Sequence, residues 1–254
     1  MSGLWPSRRA WMIAAPAALA LAVLTALVVA ARGVPFAVDA AVHDGALEHR
    51  TAGTLDAAKL LTDTGTGVVP YTLAAVAGWI ACRRARAVVA SVAVLALGQL
   101  VRVTLRYAVD RPRPPLADRV TDSAGPAFPS GHATTSALAA GLLAWALLRV
   151  TPPLAGRLAA VCCALWAAGV AATRIVLGVH WPTDIIGGWL LATCWLVLTL
   201  PVLGTFTDRL LSTPPDRVTG TGAGRGAGGG RGTGAGQRTD PADRSDAHSA
   251  ADGP

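Results

Sequence analysis

Lysine is all but missing from this chain: Lys59 is the only one among 22 basic residues. Charged residues of every kind are sparse, at 15%, while 52% of the chain is hydrophobic and the mean hydropathy is +0.47. That balance excludes an ordinary soluble globular domain and points to a membrane protein. The net charge of +7 is carried almost wholly by arginine. Arginines at the ends of apolar runs orient a membrane protein, so the basic charge is not read as a nucleic-acid footprint. Cysteine is scarce too. Cys82, Cys162, Cys163 and Cys194 all fall in apolar runs, with neither metal-ligand spacing nor a disulfide framework. They are expected as small buried hydrophobes and are silent about redox compartment. No internal repeat is evident.

What the chain does contain is long apolar runs. Six spans are expected at roughly 11–31, 67–82, 87–108, 132–149, 157–177 and 184–204. Arg8 and Arg9 precede the first run in the manner of a signal peptide, but the run is long enough to cross a bilayer and lacks a clear cleavage site, so it is read as retained. Residues 33–66 form a polar connection, within which Ala46 to Leu61 has helix-forming character and is expected along the membrane surface. Residues 213–254 are rich in Gly, Thr, Arg, Asp, Pro and Ala, cannot bury a core and read as disordered; their glycines lack the pattern of a nucleotide-binding loop. The expected fold is therefore all-α: a cytoplasmic N-terminus (1–10), a six-span transmembrane helical bundle (11–205) and a disordered cytoplasmic C-terminal tail (206–254).

Arginine placement sets the orientation. Arg8 and Arg9, Arg83, Arg84 and Arg86, Arg149 and Arg157, and Arg209 mark one side, the cytoplasm. Outside the tail and Asp208, every acidic residue falls on the other side, from Asp39 to Asp184, although Arg32, Arg50, Arg111 and Arg119 lie there as well. Three polar clusters meet on that non-cytoplasmic face.

The first cluster is Arg106 and Arg113, seven residues apart, with Pro112 and Pro114 ending the helix. Guanidinium groups grip phosphate oxygens in pairs; interfacial arginines contacting lipid headgroups are the plainer reading. The second is Pro129-Ser130-Gly131-His132 ahead of an unbroken helical run. Ser130 suits an N-cap, Gly131 admits close backbone approach, and His132 falls in a first turn whose N–H groups favour an anion. A capped helix with an interfacial histidine is the alternative. The third is Thr173-Arg174, His180 and Asp184. Asp184 can accept a hydrogen bond from one ring nitrogen of His180 and leave the other able to attack, or the pair can simply tie a loop to a helix. Taken jointly, the clusters supply the pieces of one phosphate reaction. Asp110 beside Arg111 reads as an ion pair, His43 and His49 as solvated surface, and Trp181 and Tyr107 as interfacial anchors.

At these residues the sequence resembles the type 2 phosphatidic acid phosphatase superfamily, which shares its core with vanadium haloperoxidases. The family's signatures are Lys-x6-Arg-Pro, Pro-Ser-Gly-His and Ser-Arg-x5-His-x3-Asp. The chain reads Arg106-x6-Arg113-Pro114, Pro129-Ser130-Gly131-His132 and Thr173-Arg174-x5-His180-x3-Asp184. The resemblance covers roughly residues 60–205. Arg106 stands where the family has lysine, keeping the charge but changing the donor geometry. Thr173 stands where it has serine and keeps the hydroxyl.

The resemblance implies that His180 is the nucleophile, forming a phosphohistidine, with Asp184 orienting it. It makes His132 the general acid and then the activator of water. Arg106, Arg113, Ser130, Gly131 and Arg174 would hold the phosphate. No metal and no cofactor is implied. The expected partners are the membrane and a lipid phosphate or polyprenyl diphosphate, with no nucleic acid, and loops 33–66 and 115–128 are expected to choose among substrates. The rival readings are a vanadate-loaded, halide-oxidising pocket and a non-enzymatic lipid-phosphate binder or transporter.

Overall fold

A computed structural model describes residues 8–212. The tail from 213 onward, expected to be disordered, lies outside the described residues. Eight α-helices follow in order: α1 (Arg8–Ala30), α2 (Ala37–Glu48), α3 (Ala52–Asp63), α4 (Val68–Cys82), α5 (Ala85–Val109), α6 (Gly131–Val150), α7 (Pro153–Val176) and α8 (Pro182–Ser212), with a 3-10 turn at Leu116–Asp118. Among the described residues no strand occurs.

Five helices are long and apolar enough to cross a membrane: α1 from Trp11, α5, α6, α7 and α8. The expected second span is different. With 15 residues α4 is about 22 Å long, short of the ~30 Å hydrocarbon core. A sixth span arises only if α3 and α4 count together, and that pair is bent by 49°. The bend falls at Gly65-Thr66-Gly67, where Gly67 has φ +66° and Gly65 lies so close to Val170 of α7 that a β-carbon would not fit.

The polar connection also departs from the reading as one surface helix over 46–61. It folds as two helices, α2 and α3. The chain breaks at 49–51 because Thr51 turns extended and caps α3, its side chain accepting from Thr54 N–H at 3.2 Å while Thr54 Oγ1 accepts from Thr51 N–H at 2.9 Å. Neither helix simply lies on the surface: α2 packs on α7 and α8, and α3 packs on α7. At the other end, α8 runs on through Ser212, so residues 206–212, expected in the tail, are helical.

α6 sits at the centre, against α4, α5, α7 and α8. Its core is built of small and medium side chains: Ala74, Ala77, Leu95, Leu138, Ala139, Leu142, Ala146 and Ala192. Lipid tails are as apolar as the core, so close packing of small residues is what holds such helices together. Gly78 meets the backbone of Ala87 and Val88 directly. Cys82 and Cys194 are buried as expected, but Cys162 is exposed and Cys163 partly so, because they lie on the outer apolar face of α7.

The end of α5, the 110–130 loop, the start of α6, the end of α7 and the start of α8 gather at one end of the bundle. Backbone bonds stitch them: Ala127 N–H to Arg111 O at 2.7 Å, Ser130 N–H to Asp184 O at 3.0 Å, and Val120 N–H to Leu177 O at 3.1 Å.

Candidate active site

His180 occupies the short loop between α7 and α8 and is buried, at 2% exposure. Its Nδ1 lies 3.2 Å from Asp184 Oδ2, one turn into α8. Its Nε2 lies 3.0 Å from Arg113 Nη1. A guanidinium can only donate, so Nε2 must be the accepting nitrogen and Nδ1 carries the proton toward Asp184. The two contacts fix one tautomer, with the lone pair on Nε2. Burial, then the charges of Arg113, Arg174 and Arg106, hold the His180 pKa well below its ordinary 6.5. The ring is neutral at physiological pH.

Asp184 is held from three directions. Oδ2 also accepts from Trp181 N–H at 2.9 Å, and Oδ1 accepts from Arg111 Nη1 at 2.7 Å. Arg111 is fully buried and reaches the other way to Asp39 Oδ2 of α2, at 2.7 Å from Nη2. Thr183 joins the group, its N–H donating to Asp39 Oδ1 at 2.9 Å and its Oγ1 accepting from Arg111 Nη1 at 2.7 Å. The expected Asp110–Arg111 pair is thus replaced by Asp39–Arg111–Asp184. Asp110 is exposed with φ +49° at the end of α5, which turns Arg111 inward, away from its sequence neighbour.

Arg113 lies on the loop, as its prolines require. It donates to Val179 O at 2.7 Å, Gly125 O at 2.9 Å and Pro126 O at 3.3 Å. Burial, and next the repulsion of Arg106, push its pKa down to about 10. Arg106 ends α5 and shares the Pro126 carbonyl, 2.8 Å from its Nε, while Nη2 donates to Ala124 O. Both arginines therefore clamp the 124–126 turn against His180. Arg174 is buried at the end of α7, donating to Thr62 Oγ1 of α3 at 2.7 Å and to Ser123 Oγ at 3.2 Å. Its Nε is buried with no hydrogen-bond partner among the described residues.

Ser130 caps α6, its Oγ 3.5 Å from Ala133 N, and Thr134 Oγ1 donates to Ser130 O at 2.8 Å. His132 is in the first turn of α6, with Nε2 3.5 Å from Thr66 Oγ1 at the α3–α4 bend. The guanidiniums of Arg174, Arg113 and Arg102 are the charges that bear on it. All eight residues singled out in the sequence thus lie at one end of the bundle. His180, Asp184 and Arg113 touch directly.

Two surface assignments are overturned. His43 is buried at 2% exposure, with Nε2 3.1 Å from Asp118 Oδ2 and its ring 5.1 Å from that of Trp181. Trp181 is buried rather than interfacial, donating from Nε1 to Pro112 O at 3.2 Å. Both result from α2 packing over the start of α8. His49 and Tyr107 are exposed as expected. The residues the sequence reading missed are Asp39, Arg111, Thr183, Thr62, Ser123, Gln99 and Arg102. Arg102 carried a signal, being a charged residue within an apolar span. Among the described residues no three His, Cys, Asp or Glu side chains gather as a metal-ligand set.

The PAP2 superfamily model matches residues 87–208, which hold all three clusters. A decaprenylphosphoryl-5-phosphoribose phosphatase of Mycolicibacterium smegmatis is 33% identical over 142 residues, spanning 54% of this chain and 72% of that protein. The chain belongs to the PAP2 superfamily. Among solved structures, a transmembrane PAP2-type phosphatidylglycerolphosphate phosphatase from Bacillus subtilis shares the PAP2 fold, with a TM-score of 0.64 over 78% of this chain and 96% of that one at 20% identity. With its apolar helices, this PAP2 protein is a multi-pass membrane protein.

Proposed function

We propose that this protein is a lipid phosphatase that hydrolyses a lipid phosphate or polyprenyl diphosphate at the non-cytoplasmic membrane face through a phosphohistidine. The observation that carries the reading is the position of His180, whose ring is oriented by Asp184 and whose Nε2 lone pair points at the Arg113 guanidinium. A neutral imidazole with its lone pair aimed into a cationic pocket is a nucleophile placed where a phosphate would bind.

In the first step His180 Nε2 attacks phosphorus and the P–O bond to the lipid breaks. His132 gives its proton to the departing oxygen. In the second step the neutral His132 takes a proton from water, whose oxygen attacks the phosphohistidine and releases inorganic phosphate and His180. Asp184 stabilises the imidazolium character that the ring acquires while phosphorylated. Arg106, Arg113, Arg174, Ser130 and the Gly131 N–H hold the equatorial oxygens and their growing charge. The guanidiniums supply the positive charge that a metal brings in other designs, so the reaction is proposed to be metal-independent. The Mycolicibacterium relative is named for a polyprenyl-linked substrate, which favours that class here.

The test is phosphate release from a panel of lipid phosphates by purified protein in detergent with excess EDTA, alongside His180→Ala. Release by the parent and none by the variant, with the variant inserted normally, is expected. Full turnover by His180→Ala removes the nucleophile assigned here. Vanadate is expected to inhibit; halide oxidation by the vanadate-loaded protein reverses the choice of reaction.

A further inference from the structure

Gln99, Arg102 and Arg106 fall at i, i+3 and i+7 on α5, along one face of the helix. Arg102 Nε donates to Gln99 Oε1 at 2.9 Å. Gln99 Nε2 donates to Thr135 Oγ1, and Thr135 Oγ1 donates to Gly131 O at 2.7 Å. This relay holds the guanidinium beside the first turn of α6. Nη1 stands only 3.3 Å from where a β-carbon on Gly131 would be, so glycine there makes room for it.

Arg102 is partly buried, and its Nη1 and Nη2 have no partner among the described residues. The charged neighbour acting on it is Arg106, which repels it; the other groups are the phenols Tyr107 and Tyr71, neutral at physiological pH. Among the described residues no carboxylate lies within ion-pair distance of it. A partly buried cation held in place inside an apolar span, with no carboxylate paired to it, is suited to take an anion.

Its depth identifies the anion. The end of α5 forms the site, and Arg102 lies four residues before Arg106, about 6 Å further toward the membrane interior. It is also among the charges that bear on His132, the residue facing the departing oxygen. With His132 proposed to face the departing oxygen and Arg102 deeper along α5, the phosphatase reading puts Arg102 on the lipid side of the bond that breaks, where phosphatidic acid presents only uncharged ester groups.

We propose that Arg102 binds a second phosphate lying between the scissile bond and the lipid chain, and so selects lipids with two phosphates over phosphatidic acid. The second phosphate belongs either to a diphosphate or to a phosphodiester that carries the phosphomonoester. The inference rests on the phosphatase reading above and names its substrate class.

The experiment compares kcat/KM of the full-length protein in detergent for phosphatidic acid, phosphatidylglycerol phosphate and farnesyl diphosphate. The parent is expected to prefer one or both of the two-phosphate lipids. Arg102→Gln is expected to lower that preference ratio about tenfold or more, chiefly through KM, as loss of a charged hydrogen bond implies. Arg102→Lys is expected to recover part of it. Whichever ratio collapses tells the diphosphate from the phosphodiester. A parallel loss on all three lipids overturns the proposal, as does a parent that prefers phosphatidic acid. A parent that releases phosphate from none of them overturns the phosphatase reading itself. A second measurement needs no variant: inorganic diphosphate should inhibit phosphatidic acid hydrolysis at least tenfold more tightly than inorganic phosphate, and equal inhibition contradicts the second site.

Discussion

Arg111 Nη1 lies 2.7 Å from Asp184 Oδ1, and both side chains are wholly buried. The same guanidinium lies 2.7 Å from Asp39 Oδ2, so one cation joins α2 to the carboxylate that orients His180. Removing one partner of such a group leaves an uncompensated buried charge. Arg111→Met should destabilise the protein by about 3–5 kcal/mol, read as a lower unfolding temperature in detergent. Adding Asp39→Asn should restore part of the loss. An unchanged unfolding temperature in the single variant would show that the network does not hold the fold.

His132 is assigned to protonate the departing oxygen, so its importance should follow the leaving group. His132→Ala should slow release from lipid phosphates by about 10²–10⁴-fold. With p-nitrophenyl phosphate, whose phenolate leaves without a proton, the loss should be much smaller. Equal losses on both substrates would give His132 a different role.

Burial and three nearby guanidiniums keep His180 neutral, which sets a pH dependence of stability. The unfolded chain binds a proton on this ring near pH 6.5, while the native site refuses it until the pH is far lower. The unfolded state then binds more protons, so stability is complete above 6.5 and declines as pH falls below it. Ring ¹⁵N shifts of labelled protein should show a neutral His180 with the proton on Nδ1 at pH 6. An imidazolium signal at that pH contradicts the assignment.

Burial, and next the repulsion of Arg106, lower the Arg113 pKa to about 10. Arg113 stays charged across the working range, so Arg113→Gln should weaken inhibition by inorganic phosphate about tenfold at pH 8. Arg113→Lys, whose ammonium is a point charge and not a fork, should also lose affinity at pH 8. Inhibition by inorganic phosphate at that pH measures both.

Activity should persist undiminished in excess EDTA if, as proposed, arginine side chains supply the charge that binds the anion. Loss of activity with EDTA and its return with magnesium would point to a different catalytic design.

Much of the site was legible in the sequence because its key relations are local. His180 and Asp184 are four residues apart across a helix start, Ser130 is followed by an unbroken helical run, and Arg106 and Arg113 flank a proline-marked helix end. The break between α2 and α3 was harder to read. Thr51 and Thr54 cap each other through hydroxyls, without the Glu or Gln that usually marks such a start. The bend before α4 did have its glycines, but only the contact of Gly65 with Val170 gives them a direction.

The sequence by itself determined the all-helical membrane bundle and the gathering of its three polar clusters at one end of it. Apolar run length and helix-end chemistry are properties of short stretches of chain. The tertiary structure alone decided which partner each buried charge takes. Arg111 passes over its neighbour Asp110 for Asp39, 72 residues away, and His43 leaves the surface for Asp118 and Trp181. A charge taken out of water must be met by whatever opposite group the packing of helices brings within about 3 Å, and no spacing along the chain encodes that.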